Sequence, residues 1–421
     1  MLKRTSFILI SIFLTFVTLS FYGFLKEEVI LFFCLIFSII FVYIGHKNAL
    51  LLSGTLLFST VLLNILIGAS GLGNKIYYRP HEILMIRDYD TGLGRYISNS
   101  YLKINVPHGD LKTIDKKGNF EAEPRVEEFK TDSAGFRNES SYNSEKYLIV
   151  GDSFIQGVGN TQEDILTYQL KQKYNINTYN LSFPMDIPGY ARYIKYFKKI
   201  HGNNFRVFLF VFEGNDFPDE TVAKKEEDTI KSKIIINLKE LVRYVRNYFT
   251  RLNLYRYSYS LFTVIFAAND TSEPVIIENI HDHKIGFLKV YADVTRRKNY
   301  NPNQDIKEAL NSVRDSLEII YFVPDKYRVY HEIDKEKKEP LPNAQWDYLN
   351  GVCRKLNIKC INLTEDLIKE SKRLLREENK FTWWKDDTHW NKYGIAVGAR
   401  AVAEAIRQKE EIANKFSSAS K

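Results

Sequence analysis

The chain has 421 residues and a formal charge of +8, from 59 Lys and Arg against 51 Asp and Glu, and is long enough for one large domain or two small ones. The positive charge is scattered among acids with no dense basic stripe, so nucleic acid is not the expected partner. Three cysteines make no disulfide framework and no thiolate metal site, although Cys353 and Cys360 can pair in an oxidising compartment.

Apolar residues crowd the beginning. Thr5 to Leu25, Val29 to Gly45 and Ala49 to Ala69 are three nearly charge-free stretches, each close to the ~20 residues that cross a bilayer. Only Lys26-Glu27-Glu28 and His46-Lys47-Asn48 interrupt them. Three transmembrane helices over 1–71 are therefore expected, against the alternative of a cleaved signal peptide followed by core helices. Lys3 and Arg4 favour a cytoplasmic N-terminus, which places the chain beyond the third crossing outside the cytoplasm. Lys75, Arg79 and Arg87 pull weakly the other way.

Residues 72–145 read as a polar collar or lid with short strand-like pieces such as Tyr101 to Val106. A strand–helix alternation succeeds it over 146–412. Strands are expected at Tyr147 to Val150, Ile176 to Leu181, Arg206 to Phe212, Leu317 to Val323 and Ile358 to Ile361. Helices are expected at Gln162 to Lys173, Tyr190 to Ile200, Ala344 to Leu356, Glu365 to Glu378 and Gly394 to Lys409. This alternation predicts an α/β fold, a parallel sheet with helices on both faces. Residues at about 219–300 interrupt it. There Leu238 to Phe266 is rich in Tyr and Arg, and Val275 to Val294 suggests a hairpin. A cap over the site and a helix lying on the membrane are both open readings of that insertion. Residues 413–421 are expected to form a disordered tail.

Ligands on parallel sheets bind beyond the carboxyl ends of the strands. Gly151-Asp152-Ser153 falls at such an end. A serine there exposes its hydroxyl where a helix begins, beside backbone N–H groups that can face a developing oxyanion. The plainer role for Asp and Ser is a helix N-cap. His389, in Asp386-Asp387-Thr388-His389-Trp390, precedes the last helix and can serve as the base a serine requires. Asp386 is spaced to fold back onto Nδ1; Asp387 competes, and spacing does not separate them. Asn215, in Glu213-Gly214-Asn215-Asp216, comes directly after a buried strand and can offer its amide to an oxyanion, or serve only as turn chemistry. His281 and His283 flank Asp282 in a turn and make a poor metal site.

Taken together these residues resemble the SGNH (GDSL-type) hydrolase superfamily. Gly151-Asp152-Ser153 corresponds to its first block, Asn180-Leu181-Ser182 to the second, Gly214-Asn215-Asp216 to the third, and Asp386-x-x-His389 to the last. Thr131 to Asn138 is similar to the lead-in of bacterial envelope members. Phe322-Val323-Pro324-Asp325-Lys326 and the Asp-Thr-His-Trp run resemble the alginate-type polysaccharide O-acetyltransferases, in which the serine motif follows the histidine motif rather than preceding it. Two departures stand out: Ser182 replaces the glycine of the second block, and Glu213 replaces the first glycine of the third.

The resemblance implies a flavodoxin-like SGNH domain over 146–412 and a Ser153–His389–Asp386 triad, with Asp387 as the competing acid. It also implies an oxyanion hole from the Ser153 and Ser182 backbone N–H groups and the Asn215 amide. No cofactor or metal is implied. The expected activity is ester hydrolysis or O-acyl transfer, acetyl above all, on envelope carbohydrate or another small ester. Membrane lipid and a multi-span acyl-donor membrane protein are the expected partners. A non-catalytic glycan-binding scaffold and a lipid esterase at the membrane surface are the competing readings.

Overall fold

The computed structural model describes residues 79, 81, 84–87, 93–115, 118–217, 274–302, 305–333 and 339–419, with scattered positions between 55 and 70. The chain divides into two compact units, one of Met1–Tyr78 and Glu226–Asp270, the other of Arg79–Lys225 and Thr271–Lys421. The elements of the second unit make the fold. The first two apolar stretches lie outside the described residues, as does the Tyr- and Arg-rich part of the insertion, and the third stretch is described only in part. Among the described residues no helix is long and apolar enough to cross a membrane.

The collar folds as two antiparallel pairs. Strands β1 (Met85–Arg87) and β2 (Gly94–Tyr96) form one, and β3 (Tyr101–Val106) and β4 (Arg125–Lys130) form the other, with the short helix α1 (Asp110–Ile114) between β3 and β4. The α/β core begins at β5 (Tyr147–Val150) and helix α2 (Ser153–Gln156). It continues through α3 (Leu166–Tyr174), β6 (Tyr179–Asn180), α4 (Ile187–His201) and β7 (Arg206–Phe212). The antiparallel hairpin β8 (Val275–Ile280) and β9 (His283–Leu288) comes next, then α5 (Lys289–Thr295) and α6 (Asp305–Val313). The chain ends with β10 (Leu317–Val323), α7 (Lys326–His331), α8 (Ala344–Leu356), β11 (Lys359–Asn362), α9 (Thr364–Glu378) and α10 (Lys392–Ala419).

Five strands make one parallel sheet in the order β6-β5-β7-β10-β11. This is the 2-1-3-4-5 order of a doubly wound sheet, whose crevice opens where the order reverses, here between β5 and β7. Both faces are covered, which is why the strands read as continuous apolar runs. Ile149, Phe208, Phe210 and Tyr321 pack in one cluster with residues of α3, α9 and α10. The alternate residues Leu148, Val150, Leu209, Val211, Ile320 and Phe322 are buried as well. Each such side chain contributes about 1.5–3 kcal/mol on burial.

The differences from expectation have local causes. The second strand shrinks to Tyr179–Asn180 because Ile176 and the residues beside it come directly after the C-cap of α3, where Asn175 turns left-handed at φ 57°. The expected hairpin closes earlier, at Leu288, and gives way to α5. The last helix runs to Ala419, so most of the stretch expected as tail is helical; nothing from Lys409 to Ala419 is a Gly or Pro. Cys353 at the end of α8 and Cys360 in β11 form a disulfide.

Candidate active site

Ser153 opens α2 directly after β5. Asp152 caps that helix, its Oδ1 accepting from Phe154 N at 2.8 Å, and Gly157 ends it in a left-handed turn at φ 85°. The serine is thereby fixed at the carboxyl edge of the sheet, half-buried, and its own N–H has no hydrogen-bond acceptor among the described residues.

The turn before α10 meets it there. His389 Nε2 lies 2.8 Å from Ser153 Oγ, and His389 Nδ1 lies 2.7 Å from Asp387 Oδ1. With Nδ1–H donating to the carboxylate, Nε2 is left as the acceptor for the serine hydroxyl. The next residue in the chain holds the histidine in place: Trp390 Nε1 donates to Phe154 O at 3.0 Å, and Asn160 Nδ2 donates to Trp390 O at 2.9 Å. Such a series lets an imidazole take the serine proton while a buried carboxylate steadies the resulting cation.

The carboxylate on His389 is therefore that of Asp387, not that of Asp386. Asp386 faces the opposite way: its Oδ2 accepts from Gly109 N and Glu123 N, both at 2.8 Å, and Arg125 Nη1 reaches its Oδ1 at 3.3 Å. Backbone donors from the collar claim the residue that the resemblance put in the triad. Asp387 has its own guanidinium partners, Arg125 Nη2 at 2.7 Å and Arg79 Nη2 at 3.5 Å. Burial pushes its carboxyl up, but Arg79, His389 and Arg125 together hold it well below the usual carboxylate range. Asp110 completes the turn, accepting from Thr388 N at 2.8 Å and from Thr388 Oγ1 at 2.5 Å, and pairing with Arg79 at 2.7 Å.

The expected oxyanion residues divide. Ser182 N–H points inward and donates to Asn180 Oδ1 at 3.0 Å, so it is not available to an oxyanion. The asparagine of the second block captures it because Asn180 is itself pinned, accepting on its carbonyl from Asn138 Nδ2 and donating its N–H to Asn138 Oδ1. Asn215 stands exposed in the turn after β7, with no hydrogen bond to the Ser153–His389 pair. Glu213, at the other departure, has a structural partner: its carboxylate accepts from Arg328 Nε at 2.9 and 3.0 Å and from Asp325 N at 3.0 Å, tying the ends of β7 and β10 together.

Three further acids and a histidine are buried at this end of the domain. Burial raises Asp152 to about 6, against the hydrogen bond from Phe154 and the nearby His389. Burial, followed by the Asp152 carboxylate, pushes Asp216 well above the usual range; its Oδ1 meets Tyr190 Oη at 2.8 Å. Burial raises Asp325 to about 7. His81 is buried, and burial, then Arg79 and His389, keep its imidazole well below its ordinary value and so neutral. Sequence reasoning missed Arg79, His81, Asp110 and Arg125, all from the collar. The collar motif Thr131 to Asn138 also acts here: buried Arg137 donates to the carbonyls of Gln156, Gly157 and Asn160, bracing the loop behind Ser153.

Asp110, Asp387 and His389 are also the described residues close enough together to hold a metal ion. Arg79 and Arg125 already supply the positive charge against those two aspartates, so the donor set does not suit a divalent cation.

A five-stranded parallel sheet of this order, with a serine at the end of an inner strand meeting a histidine that precedes the last helix, resembles the arrangement of an SGNH hydrolase-like domain. Residues 294–420 match the family model described as the SGNH hydrolase-like domain of the acetyltransferase AlgX. The chain thus resembles the alginate-type acetyltransferases over the stretch that carries Lys326, Asp386, Asp387 and His389; Ser153 lies ahead of it. Among solved structures, the protein YXIM of Bacillus subtilis matches at 10% identity, covering 80% of this chain and 91% of that chain with a TM-score of 0.33. No curated protein matches the chain.

Proposed function

We propose that the protein is a serine-dependent esterase or O-acyltransferase, acting on the hydroxyl esters of cell-envelope carbohydrate. The general assignment to acetyltransferase- or esterase-like carbohydrate modification rests on the AlgX-type match. The observation that carries the finer reading is the series Ser153 Oγ, His389 Nε2 and Nδ1, Asp387 Oδ1, with separations of 2.8 and 2.7 Å. Ser153 Oγ attacks the ester carbonyl while its proton passes to His389 Nε2. The C–O bond breaks and the leaving alkoxide takes that proton, which leaves an acyl-serine. Water or a sugar hydroxyl then gives its proton to His389 and attacks the acyl carbon, and the serine recovers its proton. Asp387 stabilises the imidazolium in both halves. The Ser153 N–H and the Asn215 amide are the oxyanion donors in this reading; Ser182 is not.

We place the active unit outside the cytoplasm on three membrane spans. The apolar stretches of the sequence support this, as do the exposed Phe58, Val61, Leu62, Leu63, Ile65 and Leu66 in the third and the disulfide between Cys353 and Cys360. Acylated glycan is the proposed substrate, and a multi-span acyl-donor membrane protein is the proposed partner.

The test is turnover of a chromogenic acetyl ester by the full chain in detergent, with and without a glycan acceptor. Ser153→Ala is expected to lower kcat by at least about 10³-fold. An acceptor that diverts the acetyl group from water to sugar marks a transferase. Ser153→Ala with undiminished turnover removes the serine from the mechanism.

A further inference from the structure

Lys326 is a buried lysine that the proposed mechanism leaves unused. It opens α7 directly behind Asp325 at the end of β10, and is 2% exposed. Among the described residues its ammonium makes no ion pair with a carboxylate. It donates instead to backbone carbonyls: Gly286 O at 2.7 Å, Trp384 O at 2.7 Å, Lys385 O at 3.0 Å and Asp387 O at 3.2 Å. Four carbonyls around one buried cation form a cage, with the ammonium in the place a small ion would take. Three of the four belong to the turn that leads into His389, and the fourth comes from β9.

The peptide between Asp387 and Thr388 shows what the cage does. Its carbonyl oxygen accepts from Lys326, and its N–H, on the Thr388 side, donates to Asp110 Oδ1 at 2.8 Å. The plane is clamped at both ends by groups of opposite charge. That plane sets the direction in which the Asp387 side chain leaves the backbone, and hence the 2.7 Å contact with His389 Nδ1. A rotation of the peptide would carry the carboxylate off the ring without changing any residue of the series itself. Errors of about 1 Å in such positions cost about 10²-fold in rate.

We propose that Lys326 is a positioning residue, whose buried ammonium acts as an internal cation fixing the 384–388 main chain so that Asp387 is held against His389. The role is distinct from neutralising the aspartates, since Arg79 and Arg125 do that by direct contact. The consequence for chemistry rests on the serine reading of the site; the consequence for the main chain does not.

The experiment uses the full chain and two readouts: the rate at which a fluorophosphonate labels Ser153, and amide hydrogen exchange at Thr388 and His389. Lys326→Ala removes three carbons and the ammonium, which n-propylammonium supplies from solution. Labelling is expected to slow at least tenfold, with the KM for the chromogenic ester changed less than twofold, and exchange at Thr388 is expected to rise. Propylammonium restores both in a saturable way, whereas 1-propanol, which has the same apolar stem with no charge, restores neither. Lys326→Met keeps the stem filled, so it separates folding from charge. It is expected to keep most of the melting temperature and to show the same slowed labelling. Wild-type exchange at Thr388 in both variants, or equal rescue by propanol, overturns the proposal. Ser153→Ala chain that turns over ester at the wild-type rate overturns the serine reading, and leaves the exchange test of Lys326 standing.

Discussion

Asp386 and Asp387 are adjacent, both buried and both charged partners of Arg125, yet they have different tasks. Asp387 Oδ1 takes the imidazole N–H, and Asp386 Oδ2 takes two backbone N–H groups from the collar. The serine reading therefore expects a split. Asp387→Asn presents the wrong hydrogen-bond partner to Nδ1 and should lower kcat by about 10³–10⁴-fold with little change in fold. Asp386→Asn keeps one acceptor for the collar N–H groups but loses the charge facing Arg125, and should act mainly on stability. Paired measurements of kcat and denaturant midpoint on the two variants check this; equal losses of kcat would put both carboxylates in the same role. The pair also marks the limit of reading residues from the chain. Ser153 and His389 are legible because few residue types can do their chemistry and each stands where a strand ends or a helix begins. The choice between two neighbouring aspartates depends on Gly109, 277 residues away from Asp386 in sequence, and no local spacing encodes that.

Among the elements, β5, β7 and β10 were legible as continuous apolar runs because both faces of the sheet are covered. The two-residue β6 was legible in place, within Ile176 to Leu181, but not in length, since its one pairing with β5 needs only Tyr179 and Asn180. The collar strands were legible in part, Tyr101 to Val106 among them, but their function was not, because it lies in side chains such as Arg125 that reach across to the turn before α10. The disulfide belongs to this scale. It closes a seven-residue separation between α8 and the edge strand β11, which β7 and β10 separate from β5 in the sheet order. Constraining a loop of that size contributes about 2 kcal/mol by restricting the unfolded chain. Cys353→Ser with Cys360→Ser is accordingly expected to lower unfolding stability by about that amount, while ester turnover below the melting range stays within twofold of wild type. A loss of turnover in the folded variant would mean that β11 supports the site through β10 more directly than its edge position suggests.

At the scale of the whole molecule, the site concentrates ionisable groups among buried residues, and this shapes stability against pH. Burial raises Asp152 to about 6 and Asp325 to about 7, and raises Glu123, Glu127 and Asp216 as well. Each of these acids keeps its proton in the folded chain to a higher pH than in the unfolded chain, where carboxyls titrate near about 4. Between those values the folded state binds more protons, so unfolding free energy falls as pH rises. His81 works against this trend. Burial lowers its pKa, the unfolded chain takes up its proton below about 6.5, and stability is lost as pH falls through that range. Asp387 adds a second acid-side loss, since its depressed pKa contributes stability that is present above about 4 and disappears at lower pH. Burial likewise lowers His108 and raises Asp164. Six raised carboxyls outweigh two histidines, so the full chain is expected to melt at a higher temperature at pH 5 than at pH 7.5, and to lose that gain below pH 4. Asp152→Asn, which retains an acceptor for Phe154 N, should flatten the slope between pH 4 and 6 in particular, because it removes one of the protons that the folded state holds. Melting curves in the same detergent across that range measure the slope directly. A wild-type chain steadily more stable from pH 5 to 8 would mean that the buried acids are already ionised, each satisfied by the cations and backbone donors around it.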